Sequence, residues 1–184
     1  MLILIAEDES IIRLGLKSML ESLGHQVVAA TNGREAIRMA EAQQPDLAIL
    51  DVRMPYTDGL QAARAITANR PLPILVLTAY SEQDTVERAT DLPIQGYLVK
   101  PIRPEELGAA IQVAVKRFAE AKELARRAAQ LEARLNSRIL VDRAKGKLMQ
   151  SGLSEEEAYA EIQGRARRQR QSLAHVSAAI LDET

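Results

Sequence analysis

Leu47-Ala48-Ile49-Leu50-Asp51-Val52-Arg53-Met54-Pro55 decides the architecture: four apolar residues in a row, an aspartate, then a turn region that reaches Asp58-Gly59. A short unbroken aliphatic run marks a strand covered on both faces, as in a parallel sheet wrapped by helices. Similar runs occupy residues 2–6, 27–30, 74–77 and 96–99. Glu7-Asp8, Thr78 and Lys100 stand just past the ends of three of these runs, as Asp51 stands past its own. In an alternating strand and helix chain, the carboxyl ends of parallel strands open onto one crevice. The placement therefore predicts three carboxylates and one ammonium in a single pocket.

Between the runs, apolar residues recur at three- and four-residue steps, as in Ile12, Leu16, Met19 and Leu20, or Ala36, Ile37 and Ala40. Those spacings predict amphipathic helices. Asn32-Gly33, Pro45, Asp58-Gly59, Pro71 and Pro93 read as punctuation between elements. Five β-α units result. The last helix opens at Pro104, with Glu105 and Glu106 at the positive end of its dipole.

The chain has 184 residues, 47% of them hydrophobic, enough for one ordinary core and a smaller second one. It contains no cysteine, which excludes disulfides and thiolate metal sites. No basic leader is visible and no apolar run approaches the ~18 residues of a membrane span, so a cytoplasmic protein is expected. Residues 1–103 hold 10 Lys and Arg against 13 Asp and Glu, whereas residues 104–184 hold 14 against 12. This mild skew permits an acidic pocket in front and a nucleic-acid surface behind.

Carboxylates a few ångströms apart repel by roughly 4 kcal/mol per close pair at an effective dielectric of 20, so they hold a proton or recruit a cation. Mg²⁺ is the natural guest, because it takes oxygen ligands and is commonly held by one or two carboxylates beside a phosphate. Glu7, Asp8 and Asp51 supply such a set. Asp51 then serves as both ligand and nucleophile toward a phosphoryl donor, and Lys100 pairs with the phosphoryl oxygens.

Four segments, Ala6-Glu7-Asp8-Glu9, Asp51 through Leu60, Leu77-Thr78-Ala79 and Tyr97-Leu98-Val99-Lys100-Pro101, together resemble the receiver domain of two-component response regulators. The resemblance covers residues 1–118. It implies an α/β, flavodoxin-like (βα)5 fold with strand order 2-1-3-4-5 and phosphorylation of Asp51 by a sensor histidine kinase. It also implies Mg²⁺ held by Glu7 or Asp8, by Asp51 and by the backbone carbonyl of Arg53. Thr78 is then the residue that moves to bond the phosphoryl group while Tyr97 rotates inward, altering the surface of the fourth helix and fifth strand. A cis peptide at Lys100-Pro101 is implied too. By the same likeness the protein is no enzyme beyond assisting its own phosphotransfer and dephosphorylation.

Each residue taken singly has a plainer reading. Glu7-Asp8 would cap the first helix, Asp51 the third, and Lys100 would be a solvated strand end. Their joint placement at successive strand ends favours the phosphorylation site. Tyr97 has a core reading beside its switch reading. His25 and His175 lie outside the motifs and read as ordinary surface or edge residues.

From residue 107 to 143 there is no proline, and the one glycine is Gly108, so the last receiver helix is expected to run on as a long helix. Ala121, Leu124, Ala128, Leu131 and Leu135 alternate three- and four-residue steps over about two heptads. This linker, residues 119–135, reads as a short dimeric coiled coil, or as a single helix lying across its own receiver domain. Residues 136–184 read as three short helices. Leu140, Ala144 and Leu148 line the first, which Ser151-Gly152 ends. Ser154 and Glu157 cap the second, which buries Ala158, Ile162 and Ala166. Leu173, Val176 and Ile180 line the third. Gly146 inside the first costs about 1 kcal/mol against Ala unless a backbone or ligand approaches there.

Ser137-Arg-Ile-Leu-Val-Asp-Arg-Ala-Lys-Gly-Lys-Leu-Met149, with Gly152, Glu157-Ala-Tyr159 and residues 173–181, is similar to the ANTAR domain, an RNA-binding module of transcription antiterminators. The similarity covers residues 131–183. It implies phosphorylation-promoted homodimers that bind paired hairpins in a nascent transcript. Tyr159 stands where the family often has Phe, and Ser177 where it often has Ala. Residues 143–170 carry seven basic side chains against four acidic ones, with one aromatic available to stack on a loop base. Lys145, Tyr159, Arg167 and Arg168 are the RNA-contact candidates. A helix-turn-helix DNA reader is the rival output, disfavoured because Glu155, Glu156 and Glu157 would repel phosphates. A tail that only dimerises or docks is the other.

Overall fold

The computed structural model describes residues 1–79 and 93–183. Strands β1 (Leu2–Ala6), β2 (Gln26–Ala30), β3 (Leu47–Asp51), β4 (Ile74–Thr78) and β5 (Ile94–Val99) form one parallel sheet of order β2-β1-β3-β4-β5. Among the described residues six helices accompany it: α1 (Ser10–Ser22), α2 (Gly33–Gln43), α3 (Gly59–Asn69), α4 (Pro104–Gln150), α5 (Glu155–Gln169) and α6 (Leu173–Asp182). The helix expected between the fourth and fifth strands falls on residues 80–92, outside the described residues. The parallel α/β layering expected from the strand runs, and the flavodoxin-like strand order that the receiver resemblance implies, are the architecture observed.

Alternation along the strands explains why each is apolar throughout. Ile3 and Ile5 pack with Leu16, Leu20, Leu107 and Ile111 on one face of the sheet. Leu4 and Ala6 pack with Leu50, Ala62 and Ile66 on the other. Each fully buried large aliphatic side chain contributes about 1.5–3 kcal/mol, so neither face tolerates a polar residue cheaply. β1 lies between β2 and β3, so the chain order reverses beside it and the crevice opens where Glu7 and Asp51 emerge.

Two dipeptides read as turn punctuation are helix starts. Asn32 is the N-cap of α2, its side chain accepting from Glu35 N. Asp58 caps α3 in a reciprocal box with Gln61. The glycines that follow them are sites of close approach, where a Cβ on Gly33 would lie 2.3 Å from the Thr57 carbonyl oxygen.

The chain divides into two compact units, residues 1–121 and 122–184. No break separates the long linker helix from the first helix of the tail, because α4 is continuous over 47 residues. The first member of the expected three-helix bundle is thus the end of α4. There Ala144 packs with Ile162 and Ala166 of α5 and with Val176 and Ile180 of α6. Ser154 and Glu157 form the expected capping box. Among the described residues nothing lies within 4 Å of a Cβ built on Gly146, so no contact there offsets its helix cost of about 1 kcal/mol. No helix among the described residues is long and apolar enough to cross a membrane.

Candidate functional site

The ends of β1, β3 and β5 bring Glu7, Asp51 and Lys100 together. Lys100 Nζ lies 2.7 Å from Glu7 Oε2 and 3.0 Å from Asp51 Oδ1. Glu7 is 0% and Asp51 4% exposed, so the three charges meet out of bulk water. The Lys100 backbone N–H donates to the Thr78 carbonyl at 2.9 Å, which ties the ammonium's strand end to the buried threonine. The Lys100-Pro101 peptide is cis. Thr78 Oγ1 donates to the Ala79 carbonyl at 3.0 Å, and Tyr97 on β5 is 44% exposed. Arg53 follows Asp51 by two residues in the loop that α3 closes.

None of the plainer readings describes these residues. The N-cap of α1 is Glu9, without a side-chain cap bond, and the N-cap of α3 is Asp58. The Lys100 side chain is only 17% exposed. Burial raises the Glu7 carboxyl above the usual carboxylate range, and the neighbouring Lys100 ammonium reduces the rise without cancelling it. Burial pushes the Lys100 ammonium down, but its Glu7 and Asp51 partners outweigh that and hold it above the usual range.

Glu7, Asp8 and Asp51 each offer an oxygen such that all three lie within 4.8 Å of one another. Three carboxylates face one ammonium, which leaves negative charge in excess. Glu7 Oε2 is buried and pairs with the Lys100 ammonium at 2.7 Å. An all-oxygen set with a surplus buried lone pair fits a small hard divalent cation such as Mg²⁺.

Two supports of the pocket were not evident from residue type. Arg13, one turn into α1, donates through Nη1 to the carbonyls of Glu7 at 2.8 Å and Asp8 at 3.0 Å, clamping the loop that carries the acid pair. An arginine on a helix ordinarily reads as a solvated face, and no local signal separates this one. Gly59 packs against the backbone of Asp51, and the Asp58-Gly59 dipeptide was the available signal for it.

In the second unit the four RNA-contact candidates part company. Lys145 Nζ is 2.8 Å from Glu155 Oε1 and 3.3 Å from Asp142 Oδ1, so its charge is committed inside the unit. Arg168 lies 3.6 Å from Glu161. Tyr159 and Arg167 are exposed on α5.

The fold and the pocket define a receiver, and the family model of the response regulator receiver domain matches residues 3–112. The chain belongs to the response regulators. The ANTAR domain matches residues 129–181, so a receiver is joined to an RNA-directed output module. The transcriptional regulatory protein PdtaR of Mycobacterium tuberculosis is 44% identical over 182 residues, spanning 98% of this chain and 89% of that protein. The receiver domain of a modulated diguanylate cyclase from Desulfovibrio desulfuricans superposes with a TM-score of 0.61 at 33% identity, covering 65% of this chain and 97% of that one. A receiver domain from a Pseudomonas aeruginosa sensor histidine kinase, with magnesium coordinated in its active-site cleft, gives a TM-score of 0.58 at 35% identity over 62% of this chain and 97% of that one.

Proposed function

We propose that Asp51 accepts a phosphoryl group from a sensor histidine kinase and that the phosphorylated chain, as a homodimer, binds hairpin RNA in nascent cytoplasmic transcripts and promotes antitermination. The observation that carries this reading is the convergence of Lys100 on Asp51 and Glu7, at 3.0 and 2.7 Å, beside a carboxylate trio. Asp51 is the nucleophile, held at a strand end where its carboxylate cannot withdraw into solvent. Lys100 stays cationic and stabilises the negative charge of the transferring group. Glu7, Asp8, Asp51 and the Arg53 carbonyl would hold Mg²⁺, which when bound supplies further charge neutralisation. The protein catalyses nothing beyond its own phosphorylation and dephosphorylation.

The outer face of α1 supports a kinase partner. Ile11 is 85% and Leu14 66% exposed on the helix that begins beside the acid pair, a surface that an apolar partner helix covers while its donor reaches Asp51. The Thr78 hydroxyl, engaged with Ala79, and the outward Tyr97 ring are the resting arrangement, from which both turn toward the phosphoryl group. Exposed Leu124, Leu131 and Leu135 on α4 supply the seam for a second copy. The ANTAR match and the similarity to a transcriptional regulator over nearly the whole chain support the RNA output.

Intact-mass analysis after treatment with a small-molecule phosphodonor and Mg²⁺ tests the first step. One phosphoryl group is expected on the wild type and none on Asp51→Asn. Equal incorporation by both proteins, or none by either, would sink the proposal. A tail that only dimerises would phosphorylate normally yet retain no hairpin RNA.

A further inference from the structure

The two flanks of α5 differ in how their charge is used. At 3.6 residues per turn, Glu161, Arg165 and Arg168 share one flank. Arg165 is 2.8 Å from Glu161 and 2.7 Å from Glu183, and Arg168 is 3.6 Å from Glu161. That flank is electrically closed on itself and on the end of α6. Tyr159, Gln163, Arg167 and Arg170 share the other flank, with Ala158, Ile162 and Ala166 buried beneath. Neither Arg167 nor Arg170 has an acidic partner among the described residues.

Arg170 carries a second sign. It is the C-cap of α5 with φ +53°, a left-handed conformation in which glycine or asparagine is the ordinary occupant. Its N–H completes the helix end through the Ala166 and Arg167 carbonyls, which any residue would do. A glycine would serve the fold better there, and no contact within the unit explains a guanidinium.

We propose that this flank, Tyr159, Gln163, Arg167 and Arg170, is the strip that reads the RNA loop, and that Lys145 and Arg168 are structural charges outside it. The proposal rests on the RNA-binding reading and assigns its contact surface. The strip is about 16 Å long at 1.5 Å per residue, enough for a few unpaired nucleotides. The Tyr159 ring offers a stacking face for an extruded base, the Gln163 amide offers a donor and an acceptor to a base edge, and the two guanidinium groups meet successive phosphates.

The test uses the full chain, phosphorylated with a small-molecule donor, against a pool of hairpin RNAs with randomised loops, over a salt series. Arg167→Ala and Arg170→Gly are each expected to weaken binding about tenfold and to lower the salt slope by nearly one ion. Arg170→Gly also relieves the left-handed cap, so weaker binding by a protein that melts no lower cannot come from misfolding. Tyr159→Ala is expected to lose binding that Tyr159→Phe keeps. Arg168→Ala removes the same charge from the opposite flank and is expected to change affinity less than twofold. Equal losses from Arg167→Ala and Arg168→Ala, or full binding by the strip variants, would overturn the assignment while leaving RNA binding intact. A wild-type chain that retains no hairpin would overturn the RNA reading and the strip together.

Discussion

A Cβ on Gly59 would stand 2.0 Å from the carbonyl oxygen of Asp51. The helix that follows the loop after β3 is therefore seated directly on the backbone of Asp51, the proposed phosphoacceptor, and the Gly59 N–H donates to the Val52 carbonyl at 3.0 Å. Gly59→Ala forces the start of α3 away from the end of β3. We expect it to destabilise the receiver by about 2–4 kcal/mol and to slow phosphoryl uptake, as read by urea denaturation and intact mass. Unchanged stability would mean that the loop re-seats without strain.

Lys100→Ala removes the ammonium shared by Glu7 and Asp51. Loss of a charge-stabilising donor of this kind lowers rates by about 10²–10³-fold, and that loss is expected in the rate of phosphoprotein accumulation at saturating Mg²⁺. A rate within threefold of wild type would assign Lys100 a purely structural role.

Glu7 is a carboxyl whose folded-state value is raised above 4.5 by burial. Between 4.5 and that raised value the folded chain binds more protons than the unfolded one, so metal-free stability falls as pH rises through this window. Glu7→Gln is expected to flatten that slope in chelator, measured by urea midpoints from about pH 4 to about pH 8. It is also expected to weaken Mg²⁺ binding by titration calorimetry. A slope that survives the substitution would place the proton elsewhere. Lys100 acts at the other end of the scale: its raised value keeps the pair's stabilisation in place below 10.5, and that stabilisation is lost as pH rises through the folded value.

Ser177 is fully buried in α6 and its hydroxyl has no hydrogen-bond partner among the described residues. Ser177→Ala removes an unsatisfied polar group and improves helix propensity, so it is expected to stabilise the second unit by about 1 kcal/mol. Hydrogen exchange of the amides around Ala144, Ile162 and Ile180 reads this directly. Faster exchange in the variant would reveal a bond to ordered water in the wild type.

Leu131→Glu alters a side chain exposed on α4. In a single chain the change is worth within about 0.5 kcal/mol, whereas at the seam of a dimer it places two carboxylates face to face. Sedimentation of the phosphorylated protein is expected to shift from dimer to monomer while its thermal unfolding at low concentration stays put. A dimer that persists would locate the seam elsewhere.

The sequence by itself determined the five strands, the fold class and the convergence of Glu7, Asp8, Asp51, Thr78 and Lys100 on one end of the sheet. These features rest on short-range signals: aliphatic runs for strands buried on both faces, helical periodicity, and residues at the ends of runs. Asn32 and Asp58 do stand between strand and helix, but a helix cap and a turn draw on the same residue types, so local signals leave open which of the two each forms. Tertiary structure alone decided that Arg13 clamps the acid loop, that Gly33 and Gly59 bear neighbouring backbone, and that Lys145 is neutralised by Glu155 while Arg167 has no acidic partner among the described residues. An arginine becomes a clamp, a committed ion or an open contact according to which oxygens the fold carries within about 3 Å of it, and those oxygens come from other elements of the chain.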